Sequence, residues 1–422
     1  MKRPTTLLTT STRATCAVVC LCCALLLASC ASPSRKDAVP TELADQSTVL
    51  NDPSIRTWDD TLSPAFLAEL LAAGRREPPP IGANGQPGPL PPAYYLGISG
   101  GGADGAYGAG LLCGWTAAGT RPDFKIVTGI STGALTAPFV FLGKEYDDKL
   151  RRVYTSVRTD DIAKSRGLLA ALFDDALMDT VPLRQLMIKL IDEQMIRDIA
   201  REYARGRILM VATTNLDANR GVIWNIGKIA SSNDPKAIDL IHDILIASAA
   251  IPGAFPPVLI QVEIDGKKYE EMHVDGGTKA QVFLYPPTFA LNDVLTAEGV
   301  KRQRIAYIIS NARLDPQWAS VQRRTLSIAG RAIRSLIQTQ GVGDLYRIYL
   351  VLQRDGVAFN MAYIPATFNT VQKEEFDPVY MSQLFALGYE RAAAPGGYPW
   401  NTRPPGFIEA TGTPAEDDVQ AK

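Results

Sequence analysis

The stretch Phe124-Lys125-Ile126-Val127-Thr128-Gly129-Ile130-Ser131-Thr132-Gly133-Ala134-Leu135 decides how this chain is read. Its apolar first half predicts a buried strand over 124–130, and the apolar run that follows predicts a helix over 132–142. Gly129-Ile130-Ser131-Thr132-Gly133 therefore matches G-x-S-x-G on a strand-to-helix turn. A serine there is held in a strained backbone conformation. Gly129 and Gly133 remove the side chains that would collide with it, and the helix amino terminus behind it favours negative charge. The pattern alone also suits a tight turn whose serine merely caps the helix.

Two further motifs weigh against that plainer reading. Ser99-Gly100-Gly101-Gly102-Ala103-Asp104-Gly105 sits at another strand-to-helix junction, where a run without side chains leaves backbone N–H groups free to surround a developing oxyanion. The same residues, Gly100 to Gly105, also fit G-x-G-x-x-G. A dinucleotide loop, however, wants an acidic residue at the end of the next strand, and here that strand runs into the Gly129–Gly133 turn. Asp275-Gly276-Gly277 follows a strand expected over 269–274, placing a carboxylate at a strand end beside two glycines that permit close approach. Asp275 could take the Ser131 proton only in a sheltered site in direct contact with the hydroxyl. The chain has two histidines. His242 falls within an expected helix, and His273 shares a strand face with Asp275, so a Ser131–His273 pair stays open as a weaker alternative.

Around these motifs strands and helices alternate: strands over 94–99, 207–214, 221–226, 258–264 and 304–310, helices over 103–118, 237–249, 316–352 and 378–393. That alternation predicts an α/β domain with a largely parallel sheet and mixed edges. Residues 31–50 are polar without apolar periodicity and read as a flexible tether; a short helix over 64–73 precedes a Pro- and Gly-rich connection, with the domain boundary placed near Pro92. The organisation expected is a signal peptide over 1–29, a tether and linker over 30–92, a catalytic domain over 93–311, a helical extension over 312–400 packed on it, and a loose tail over 401–422.

Forty-three basic residues balance 44 acidic ones, so no net field draws nucleic acid or an anionic membrane surface to the chain as a whole. Hydrophobic residues make up 46%, enough for a substantial core. Five of the six cysteines fall in the first thirty residues, which provides no disulfide framework. Lys2, Arg3 and Arg13 precede an apolar stretch over 14–27 that is too short to span a bilayer. Leu27-Ala28-Ser29-Cys30 then resembles the lipobox of bacterial lipoproteins, which implies cleavage before Cys30 and its lipidation. Ala31 in place of an acidic residue favours the outer over the inner membrane of a bacterial envelope.

Taken in order, the Gly100–Gly105 loop, the Gly129–Gly133 turn, Ala247-Ser248-Ala249-Ala250-Ile251-Pro252-Gly253-Ala254-Phe255-Pro256-Pro257 and Asp275-Gly276-Gly277 resemble the patatin-like phospholipases over about 94–311. The resemblance implies a three-layer α/β/α patatin-like fold with a mainly parallel central sheet and no metal or organic cofactor. It also implies hydrolysis of acyl esters, phospholipids among them, by a Ser131–Asp275 dyad with Gly100, Gly101 and Gly102 as oxyanion donors. Gly105, Gly129, Gly133, Gly276 and Gly277 would support the site, and the 247–257 segment would brace it. Asp104 departs from the pattern, standing where members often carry Arg or Lys, and Thr278 to Gln281 lack the Asn and Pro that often follow the aspartate. A non-catalytic lipid-binding lipoprotein and an acyltransferase using the same dyad are the competing functions, each with a lipid or ester ligand and a membrane anchor.

Overall fold

In the computed structural model, which describes residues 35–81, 85–162, 164–165 and 176–407, the apolar strands form one nine-stranded sheet. The strands are β1 (Arg56–Trp58), β2 (Ala93–Ile98), β3 (Ile126–Gly129), β4 (Ile208–Asn215), β5 (Arg220–Asn225), β6 (Val258–Ile264), β7 (Lys267–Asp275), β8 (Arg304–Ser310) and β9 (Ala358–Tyr363). The order β4-β3-β2-β8-β9 is parallel throughout, and β5, β1 and the β6–β7 hairpin add antiparallel pairs at the β4 side.

Alternation along the strands sends successive side chains to opposite faces and so creates two cores. Leu96, Ile98, Leu209 and Val211 face a core shared with the helices Gly105–Ala117 and Thr132–Leu142. Ile208 and Met210 face the helix Pro64–Arg75, and Tyr95, Ala306 and Ile308 face the carboxyl-terminal half of the helix Thr325–Arg354. These helices are α1 (Pro64–Arg75), α2 (Gly105–Ala117), α3 (Thr132–Leu142), α4 (Ala237–Ser248), α5 (Thr325–Arg354) and α6 (Pro378–Ala393). The result is the expected three-layer α/β/α arrangement. Helix α6 lies so close on α2 that a Cβ at Gly110 would stand 2.0 Å from the Phe385 carbonyl oxygen.

Two parts of the expected organisation are corrected. The tether placed over 31–50 is docked where it is described: Arg35 makes paired hydrogen bonds of 2.9 and 2.8 Å to Asp217, Lys36 binds Glu270, and Thr48 bridges Glu263. Nor does Pro92 divide the fold, because β1 lies in the same sheet, with Arg56 opposite Trp224. The polar composition of this segment concealed its docking because its partners lie more than 150 residues further along. Residues 312–400 likewise contribute β9 to the sheet as well as helices. Residues 1–34, with the signal peptide and Cys30, and 408–422 of the expected tail lie outside the described residues.

The docking of β1 centres on a fully paired buried network. The Arg56 guanidinium donates to both Glu271 oxygens at 2.6 and 3.0 Å and to Ser47 Oγ at 2.7 Å. His273 Nε2 lies 3.1 Å from Glu271, its Nδ1 lies 2.9 Å from Thr213 Oγ1, and Trp224 Nε1 donates to that hydroxyl at 2.8 Å. Every bond is satisfied with a neutral imidazole carrying its proton on Nε2. Burial drives His273 below its usual value despite the pull of Glu271; for Glu271, burial is outweighed by Arg56 and His273, and its carboxyl stays ionised well below the usual range.

Both shifts are downward, so the stability they represent is present above the unfolded values of 6.5 and 4.5 and is lost progressively as pH falls from those values toward the lower folded ones. Urea midpoints are expected to drop between pH 7 and pH 4, and less steeply in Glu271→Gln. Arg56→Ala, which strands a buried carboxylate, is expected to cost about 3–5 kcal/mol at pH 7 in the same assay.

Candidate active site

A strand has two edges, and β5 occupies one edge of β4 along Met210–Asn215. On the other edge lie both β3, with Gly129 opposite Val211, and β7, with Asp275 opposite Thr213. Parallel β3 and antiparallel β7 thus run toward each other along β4, and their carboxyl ends stop two residues apart, about 7 Å at the rise of a strand. Ser131, two residues past Gly129, turns across that gap toward the end of β7, and its hydroxyl favours the ionised form of the Asp275 carboxyl.

The turn is as tight as its glycines imply. Ser131 has φ 54° and ψ −124°, a left-handed conformation costly for a residue with a side chain. A Cβ at Gly129 would meet the Gly133 carbonyl oxygen at 2.3 Å, one at Gly133 the Ile98 oxygen at 2.3 Å, and one at Gly105 the Thr132 hydroxyl at 2.3 Å. Asp275 is fixed through its backbone: its N–H donates to the Ala250 carbonyl at 2.9 Å, and Thr214 Oγ1 donates to its carbonyl at 3.0 Å. The Gly277 N–H donates to Asp275 Oδ1 at 2.7 Å, where a Cβ on Gly277 would stand 3.0 Å from that oxygen. At Gly276 a Cβ would lie 2.6 Å from the Ala212 oxygen. With Asp275 only 5% exposed, burial pushes its carboxyl up to about 7, against the Ser131 hydroxyl and the bond from the Gly277 N–H.

The Gly-rich loop does not offer all three expected donors. Gly100 N–H is bound to the Gln281 carbonyl at 3.0 Å, which removes it from the set. The N–H groups of Gly101, Gly102 and Thr132 meet no acceptor among the described residues. Gly101, at φ 152°, leaves no room for a Cβ, which would stand 2.3 Å from the Asn311 oxygen. Asn311 ties the loop down: its N–H and amide donate to Ser99 Oγ and Ser99 O at 2.7 and 3.0 Å, and its Oδ1 accepts from Gly108 N–H at 3.0 Å. Sequence reading assigned Asn311 no role; its only signal was a polar residue just past the carboxyl end of a central strand, where α/β sheets place their sites. Asp104 turns away from the loop's donors to accept from Tyr380 of α6 at 2.5 Å, and burial raises it to about 6 against that bond.

Within the 247–257 segment, Ser248 has a definite task. Its hydroxyl accepts from the Ser131 N–H at 3.0 Å and donates to the Ala212 carbonyl at 2.7 Å, holding the strained turn onto β4. The histidines take no part. Both nitrogens of His273 are engaged in the network on Glu271, and buried His242 bonds the Ile191 carbonyl at 2.9 Å. A cavity of about 70 Å³ beneath the turn is lined by Ile130, Ala212, Gly276 and Phe283 but by neither Ser131 nor Asp275.

Residues 96–287 match the sequence model of the patatin-like phospholipases. No match is found among curated protein sequences. Solved structures with some likeness include VipD from Legionella pneumophila (TM-score 0.34, 14% identity, covering 74% of this chain and 68% of that one). Human GIVD cytosolic phospholipase A2 follows (0.32, 11%, 67% and 51%), with the type III effector protein ExoU (0.27, 12%, 72% and 53%). The chain spans about half the length of the last two, and scores this low support no argument about function.

Removing the Ser248 hydroxyl leaves the Ser131 N–H buried without a partner. Ser248→Ala is expected to lower stability by about 1–3 kcal/mol in urea melts, whereas Ser248→Thr, which keeps the hydroxyl, should restore part of it.

Proposed function

We propose that the chain is a serine lipid acyl hydrolase, with Ser131 as nucleophile and Asp275 as base. The observation that carries this reading is the head-to-head meeting of the Ser131 turn with the strand that ends in Asp275, a buried carboxyl that burial raises to about 7 and the Ser131 hydroxyl pulls down in part. A carboxylate in water is too weak a base for an alcohol, and raising it toward the working pH strengthens it while leaving it substantially ionised. As the Ser131 oxygen bonds to the acyl carbon, its proton passes to Asp275, and the carbonyl oxygen takes up negative charge facing the unpaired N–H groups of Gly101, Gly102 and Thr132. Collapse expels the alcohol, which takes the proton from Asp275. Water, deprotonated by the same carboxylate, then releases the fatty acid.

Ser131→Ala is expected to abolish hydrolysis of short nitrophenyl esters and labelling by a fluorophosphonate, with the thermal transition retained. Asp275→Asn should reduce kcat by about 10²–10⁴-fold. In the unsubstituted protein kcat/KM should rise with pH through an apparent pKa near 7, since the base works only when ionised. A flat profile from pH 5 to 9, or undiminished activity in Ser131→Ala, would overturn the assignment.

We further propose that the mature chain is held in a bacterial envelope through lipidated Cys30, a reading supported by Leu27-Ala28-Ser29-Cys30. Radiolabelled palmitate should enter the protein and be lost in Cys30→Ala; equal labelling of the two would contradict it.

A further inference from the structure

The near-neutral charge of the chain hides a local imbalance. Residues 316–343 contain Arg323, Arg324, Arg331 and Arg334 and no acidic residue, in a chain of 43 basic and 44 acidic residues. Among the described residues no carboxylate pairs with any of the four. They surround the amino-terminal half of α5, a 30-residue helix about 45 Å long. From Ser327 to Gly343 no described side chain is buried, and the first buried one is Asp344.

That half is amphipathic the wrong way round. At about 100° per residue, Ile328, Ala329, Ala332, Ile333, Leu336 and Ile337 span roughly half the circumference, while Ser327, Arg331, Arg334, Ser335 and Gln338 share the other half. A helix of a folded domain normally turns its apolar stripe inward. Here the polar face is the one braced on the protein, with the Arg331 guanidinium donating to the Gln317 carbonyl and the Gln338 amide to the Asp315 carbonyl at 2.8 Å. The apolar face is left in water: Ile328, Ile333, Leu336 and Ile337 are 51, 56, 70 and 41% exposed, and Trp318 in the preceding loop is 90% exposed.

The exposed helix leads straight to the site. One turn beyond Ile337, Gln340 Oε1 accepts from Gln281 Nε2 at 3.1 Å. The Gln281 amide oxygen and the Ser131 Cβ both border the same bare position, 3.4 and 3.2 Å from where a Cβ on Gly100 would stand.

We propose that the amino-terminal half of α5, with Trp318, is a docking surface for a lipid bilayer rich in anionic head groups. An apolar face flanked by arginines and a tryptophan suits the boundary between head groups and acyl chains, where the apolar side chains are buried and the guanidinium groups reach phosphate. No helix among the described residues is long and apolar enough to cross a membrane, so the contact lies along the surface. A second copy of the chain fits the face less well: a two-fold contact would bring four arginines without carboxylate partners toward four more. The inference rests on the acyl hydrolase reading only for its purpose, presentation of a bilayer ester to Ser131; the binding requires no chemistry.

The test uses the full-length chain as Ser131→Ala, so that no lipid is consumed, with vesicles of phosphatidylglycerol or phosphatidylcholine carrying brominated acyl chains. Comparison with the Trp318→Phe form isolates the emission of Trp318, whatever other segment also holds the protein to the vesicle. Phosphatidylglycerol vesicles are expected to blue-shift and quench that emission, with loss of the effect as salt is raised from about 0.1 to 1 M. Ile333→Glu and Leu336→Glu should each weaken the response about tenfold in lipid concentration without lowering the thermal transition. Three results would each overturn the proposal: no quenching on either vesicle, equal salt-independent quenching on both, or a Trp318 shift that tracks protein concentration and self-association in the absence of lipid. Hydrolysis of a soluble ester is measured separately on the unsubstituted protein. Docking without ester turnover sinks the catalytic reading alone, and turnover without docking sinks this inference alone.

Discussion

Two strands share one edge of a third, and the site follows from that. On β4, parallel β3 fills the places up to Val211 and antiparallel β7 fills those from Thr213, so the two chain ends must meet head to head. The turn that carries the Ser131 hydroxyl and the strand end that carries the Asp275 carboxylate are brought to face each other, although 144 positions separate them in sequence. Neither side chain selects this arrangement. Strand register does, and it is enforced by the burial of alternate residues on both faces of the sheet.

The meeting point carries local costs. Ser131 holds a left-handed backbone, worth about 1–3 kcal/mol of strain, and Asp275 is buried where its charge is poorly solvated. These are offset by bonds converging from several elements: Ser248 from the end of α4, Ala250 just beyond it, Thr214 from β4 and Gly277 from the turn after β7. The network of Arg56, Glu271, His273, Thr213 and Trp224 extends this support back along β7 and couples the amino-terminal segment to the strand that ends in Asp275. His273 thus serves the site as part of the scaffold, although its spacing from Asp275 alone would have suited a proton carrier.

Charge is arranged on the same principle of distant pairing. Arg35, Lys36 and Arg56 find Asp217, Glu270 and Glu271, whereas the arginines around the start of α5 find no acidic partner among the described residues. A net charge near zero is compatible with both and distinguishes neither. The long helix shows the same division along a single element. Its carboxyl half packs Leu345, Ile348 and Leu352 against the sheet, and its amino half turns an apolar face outward.

The sequence by itself determined the local elements and the chemistry placed at their ends. The boundaries of β8 and α3 agree residue for residue with the expected 304–310 and 132–142, because apolar periodicity and glycine punctuation act over a few residues. Gly129, Gly133, Gly276 and Gly277 could be recognised in the same way, since each is needed within a turn of its own. Tertiary structure alone decided which N–H groups stay free, since Gly100 is claimed by Gln281, far along the chain. It also assigned Ser248 and Asn311 their tasks, drew the polar 35–50 segment and β9 into the fold, and left one face of α5 uncovered. The physical reason is common to all of these: the deciding partner lies dozens to hundreds of residues away, and no local pattern records which distant group a hydrogen bond or an apolar face will meet.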